Sequence, residues 1–182
     1  AAATRINSSG LIEKYRENLL LQSNQFDTTW QKISLSVTSG QTGYDGSIDA
    51  WLLNKNSGGN GVYLNQNVSV SGVNTFSVYA KAGTLNNVAI FCNGSFGGKY
   101  FDLTNGTIGG NLFGAPTHAS IEDVGNGWYR CSIVLDDGAS DARVYPANNG
   151  SLTDAGNILI QDAQLEQGLV ATDVSNIFNR SV

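Results

Sequence analysis

Polar and apolar residues alternate along this chain in short runs separated by turn residues. The clearest runs are "KISLSVT" (32–38), "GVYLNQNVSV" (61–70), "TFSVYAKA" (75–82), "NVAIFCN" (87–93), "KYFDLT" (99–104), "WYRCSIVL" (128–135), "ARVYP" (142–146) and "NILIQDAQLE" (157–166). Period-two alternation and short apolar bursts of this length predict β-strands. Turn dipeptides recur between them: Asp45-Gly46, Asn60-Gly61, Asn93-Gly94, Asn105-Gly106, Asn126-Gly127, Asp137-Gly138 and Asn149-Gly150. Asn, Asp and Gly reach positive φ cheaply, which tight hairpin turns require. No long helical pattern intervenes. The spacing predicts an all-β fold, an antiparallel two-sheet β-sandwich of jelly-roll type. Residues 106–118 lack strand character and are expected to form a loop.

The pattern also divides the chain. Residues 1–17 are polar without a sustained period, and are expected to be a linker from an upstream domain with a short helical turn at Leu11–Arg16. Residues 18–170 should form the sandwich and 171–182 a C-terminal tail. Methionine is absent even at position 1, so a fragment or processed product is expected.

Alternation assigns faces. Phe76, Val78 and Ala80 share one face, as do Cys131, Ile133 and Leu135, and these sets should fill the core. The opposite sets mix rings with charge: Tyr79 with Lys81, Tyr100 with Asp102, Trp128 with Arg130, and Arg143 with Tyr145. Apolar area with a few polar groups is what ligand sites use, so Tyr79, Lys81, Tyr100, Asp102, Arg130, Arg143 and Tyr145 are the candidate ligand-binding residues. Plain packing is the competing reading, because aromatic residues suit a half-buried pleated surface. For Trp128 packing at the sandwich end is preferred.

Composition narrows the chemistry. A net charge of -5 with only 10 Lys and Arg leaves no cluster to neutralise several phosphates, which argues against nucleic-acid binding. No apolar run is long enough for a membrane helix. Cys92 and Cys131 lack metal or redox spacing and read as buried thiols, with a cross-strand bridge as the alternative. His118 is the single histidine. The pairs Glu122-Asp123 and Asp136-Asp137 read as turn chemistry, and no nucleophile elbow or HExxH motif occurs. An enzyme is therefore not expected.

Two stretches carry a resemblance. "NLLLQSNQFDTTW" (18–30) and "NILIQDAQLEQG" (157–168) are similar to the first and last strands of carbohydrate-binding modules of the family-four and family-nine type. Phe76–Ala82 and Gly127–Arg130 resemble the modules' middle motifs. "NLL", "GWYR" and "QLExG" in this order also resemble jelly rolls of bacteriophage tail and head-fibre proteins. The resemblance covers about Asn18 to Gly168. It implies adjacent first and last strands, with Leu19 and Leu21 anchoring the core. It also implies a structural calcium held by Asp27 and Asp162, since calcium takes six to eight oxygen ligands. "QDAQ" departs from the modules, which often carry two consecutive acids there. The implied function is non-catalytic binding of a polysaccharide or cell-surface glycan, within a larger virion or extracellular protein. Lys81, Arg130 and Arg143 hint at an acidic glycan. Two other classes stay open: a structural module that associates with other chains of a fibre, and a polysaccharide-degrading enzyme.

Overall fold

The computed structural model describes residues 4–6, 12–14, 17–94, 97–169, 171 and 178–180. No helix occurs among them. Two six-stranded antiparallel sheets form the sandwich. The front sheet runs β11 (Thr107–Asn111), β10 (Gly97–Asp102), β9 (Asn87–Gly94), β14 (Ala139–Ala147), β7 (Tyr63–Val70) and β4 (Gln31–Ile33). The back sheet runs β12 (His118–Gly125), β13 (Trp128–Leu135), β8 (Asn74–Ala82), β15 (Gly156–Gln167), β6 (Ala50–Lys55) and β5 (Leu35–Gln41). Outside them, β1 (Thr4–Ile6) pairs with β2 (Ile12–Lys14), and β3 (Glu17–Leu21) pairs in parallel with β16 (Phe178–Arg180). Residues 12–14 are thus a strand and not the expected helical turn.

The sheets face each other through the predicted apolar sets. Phe76, Val78 and Ala80 meet Val88, Ile90 and Val144 in one core, with Ile133, Leu135, Ile158 and Leu165. Cys92 and Cys131 lie in this core as free thiols. At Asn126-Gly127 both residues have positive φ, 57° and 77°, joining β12 to β13 as the dipeptide predicts.

Two irregularities change which residues face inward. In β15 the register shifts between Gln161 and Gln164, and Asp162 has φ 46°. Ile158 and Ile160 enter the core before this bulge, Ala163 and Leu165 after it. A single extra residue reverses the alternation. The run 32–38 divides at Ser34 (φ 56°), so β4 joins the front sheet and β5 the back.

The opening strand lies beside the closing one, through an amide. Asn18 is fully buried. Its Nδ2 donates to Ala163 O (3.0 Å), and its Oδ1 accepts from Leu165 N (3.0 Å) and Leu20 N (3.1 Å). Leu20, not Leu19 or Leu21, is the fully buried leucine, and those two are only partly buried. The expected inward pair is therefore corrected by one residue. Phe26 and Trp30 pack edge-on in the core, 5.3 Å between centroids.

Candidate functional site

The seven predicted ligand residues fall on opposite outer faces of the sandwich. Tyr79 and Lys81 on β8 alternate with core Val78 and Ala80, and Arg130 pairs with Tyr79 across β13. These three belong to the back face. Tyr100 and Asp102 on β10 flank core Phe101, and Arg143 and Tyr145 on β14 flank core Val144. These four belong to the front face. The core separates the groups, so they do not form one site.

On the back face the ring surface is covered. Tyr79 is 5% exposed because Tyr44 stacks on it, with centroids 3.9 Å apart and planes within 8°. Trp128 is also buried there. Arg130 lies 5.4 Å from the Tyr79 centroid, and its Nη2 donates to Gln164 Oε1 at 2.7 Å. Lys81 Nζ donates to Asn126 O at 2.7 Å. His118 lines a groove of about 210 Å³ with Ser120, Glu122, Arg130 and Ser132. That is smaller than the roughly 300–1,000 Å³ of ordinary small-molecule pockets.

The front face is built differently. Tyr63, Asn65 and Asn67 alternate on β7 with Leu64 and Gln66, Asn65 being buried like those two, and Arg143 stands opposite Asn65 on β14. Arg143 Cζ lies 4.8 Å from the Tyr63 centroid and 5.4 Å from that of Phe91. Tyr145 touches Tyr63 on one side, at 4.9 Å, and Phe113 on the other, at 6.2 Å. Tyr145 itself is fully buried and Tyr100 is 8% exposed. Their face was predicted correctly, but they form the floor beneath the surface. The accessible area belongs to half-buried Tyr63 and to Phe113, which is 46% exposed. Exposed Gln31 and Asn67 border it, and Asn65 Nδ2 donates to Oε1 of the former and Oδ1 of the latter, each at 3.0 Å.

Charge on this face is largely neutralised. Arg143 Nη2 binds Asp141 Oδ2 at 2.5 Å, and Asp141 Oδ1 also accepts from Asn93 N at 3.1 Å. Burial works against the guanidinium charge, but Tyr145 and Asp141 outweigh it and hold its pKa above the usual value. Burial raises the Tyr145 hydroxyl pKa. Asp102 accepts from Thr104 N, Asn105 N and Asn105 Nδ2 at 2.8–3.0 Å, which makes it a turn former. Burial would raise its pKa, yet those donors bring it below the ordinary value.

The two acids proposed for calcium are placed apart in role. Asp27 is exposed, and its backbone carbonyl accepts from Lys32 Nζ at 2.8 Å. Asp162 Oδ2 accepts from Tyr44 Oη at 3.1 Å. Burial, with repulsion from Asp49 and Asp45, pushes Asp162 up to about 6, against the Tyr44 hydrogen bond. Among the described residues no three His, Cys, Asp or Glu side chains lie together to hold a metal ion.

Tyr63, Asn65, Asn67 and Phe113 are not among the seven residues selected from strand alternation. The first three were legible, because "YLNQN" alternates with the same period as the runs whose faces were assigned. Phe113 sits in irregular chain where no period exists.

No protein-family profile matches the chain, and no curated protein matches it either. Solved structures do, at low identity. A candidate sugar-binding protein from Bacteroides thetaiotaomicron is 14% identical with a TM-score of 0.44, covering 84% of this chain and 95% of that one. The CBM22-1–GH10 modules of Clostridium thermocellum endo-1,4-β-D-xylanase 10B, complexed with xylohexaose, give 11% identity and a TM-score of 0.47. The enzymatically active domain of tailspike protein 4 from bacteriophage CBA120 gives 15% and 0.43. The chain covers 28% and 21% of those two longer chains, with 85% and 84% of its own length.

Proposed function

We propose that this chain is a non-catalytic glycan-binding module of a virion or extracellular protein, and that its ligand is an uncharged glycan lying on the front face. The observation that carries this is the two accessible rings, Tyr63 and Phe113, held on either side of buried Tyr145 with Arg143 beside them. Ring faces cover the C–H surface of a sugar, while side-chain amides and a guanidinium meet its hydroxyls. An uncharged ligand follows from Arg143 being paired with Asp141, since a second anion would compete for that guanidinium. Catalysis is disfavoured by the same pairings. Asp141 is held by Arg143 and Asn93, and Asp102 by its turn. Both carboxylates are thus engaged in structural contacts, which favours a binding role over the carboxyl pair that glycoside hydrolysis uses.

Calorimetric titration with xylohexaose, cellohexaose and polygalacturonate tests the proposal. A neutral oligosaccharide should bind, polygalacturonate should not, and Tyr63→Ala should weaken binding at least about tenfold, or 1.4 kcal/mol. Binding that is unchanged in Tyr63→Ala would place the ligand elsewhere. A second reading, association with other chains of a fibre, has one observation behind it. All five residues of edge strand β11 are exposed, Ile108 among them, and unpaired strand edges recruit further strands. Sedimentation of the parent and Ile108→Lys would reveal such association.

A further inference from the structure

Phe113 has a backbone that its side chain does not explain. Its φ is +61°, a region that bulky residues avoid. Gly114 N donates to Leu112 O at 2.8 Å, so Phe113 is the centre of a three-residue γ-turn of the strained, positive-φ kind. Gln22, Ser34, Asn126, Asn149 and Asp162 are the other non-glycine residues at positive φ among those described. Phe113 is the aromatic one.

The turn is clamped from both ends. Leu112 N donates to Gly98 O at 2.9 Å, and Gly98 N donates to Gly114 O at 3.1 Å. A Cβ on Gly98 would come within 2.9 Å of the Phe91 ring and 3.0 Å of Leu112 O, so only glycine permits this docking. Leu112 plugs into the buried cluster of the front face with Tyr100 and Tyr145. The ring of Phe113 stands edge-on to Phe91, at 5.4 Å and 90°, and remains 46% exposed. Thus a strained backbone presents a large ring to solvent. Glycine or asparagine would relieve the strain, and neither would present a ring. Local strain that the surroundings enforce marks functional positions.

We propose that Phe113 is a preorganised stacking anchor that determines which glycans the front face takes. The γ-turn fixes the ring before the sugar arrives, so little freedom is lost on binding. The ring accepts a sugar residue whose presented face is an unbroken set of C–H bonds. This deepens, and rests on, the reading of the front face as a glycan surface.

The test uses F113G, F113A, F113W and Y63A of the full chain, with xylohexaose and cellohexaose as probes and thermal unfolding as a second measurement. F113G should melt about 2–4 °C above F113A, the shift expected for roughly 1 kcal/mol in a chain this long. In most strand or helix settings the order is the reverse. Both variants should lose at least tenfold in affinity, and F113W should retain binding. If F113A melts as high as F113G, the turn is unstrained and the inference fails. If F113G unfolds far below the parent, the ring is structural and the inference fails again. Loss of affinity in Y63A with none in F113G would keep the glycan face and discard the anchor. A parent that binds neither probe would overturn the glycan reading and the anchor together.

Discussion

At Asp162 environment and chemistry conflict. Its carboxyl titrates at about 6 because burial and two neighbouring acids disfavour the charge. A pKa raised in the fold means that stability is fully present below the unfolded value, near 3.8, and is lost as pH rises through about 6. The loss should be on the order of 2–3 kcal/mol, at 1.36 kcal/mol per unit. Asp162→Asn keeps an acceptor for Tyr44, and Asn tolerates the positive φ. The difference in melting temperature between Asn variant and parent should therefore grow from pH 4 to pH 7, in favour of the variant. A flat difference would contradict the burial argument. Tyr145 offers a second residue-scale test. It is fully buried beneath the front face, so Tyr145→Ala should cost about 3–5 kcal/mol, measured by denaturant unfolding. Half-buried Tyr63 should cost distinctly less.

Among the elements, the contact of β3 with β15 depends on one amide. Asn18 satisfies a carbonyl and two N–H groups. Asn18→Leu would leave them without partners in a dry site, at about 1–3 kcal/mol for a buried unsatisfied group. A loss of roughly 2–4 kcal/mol is expected from urea unfolding, whereas exposed Asp27→Ala should stay within about 0.5 kcal/mol. Strands were largely legible because alternation and Asn-Gly turns are local signals. β1, β2, β6, β11, β12 and β16 were not, although "AWLLNK" is apolar enough to be a strand. β11 has five exposed residues and two adjacent glycines, so it has no apolar period to detect. Hydrogen bonds to β10 define it instead.

For the whole molecule, the two outer faces behave as separate surfaces divided by the core. Lys81→Ala, on the back face, should leave glycan affinity unchanged, while Arg143→Ala, on the front, should reduce it at least about tenfold. Titration of both variants against cellohexaose checks this. Affinity should also vary little between about 0.1 M and 1 M salt, because no net ion pair forms with an uncharged ligand. Sequence by itself determined the fold class, the apolar set of most strands and the side of its strand that each candidate ligand residue occupies. All of these follow from a period of two along one strand. Which sheet a strand joins is not a property of the strand, and Ser34 and the bulge at Asp162 redirect chain and faces without an apolar signature. Exposure was decided later still. Tyr79 is hidden because Tyr44, 35 positions away, stacks on it, and Tyr145 because Tyr63 and Phe113 flank it. Only packing between distant segments separates the ring that meets a ligand from the ring that supports it.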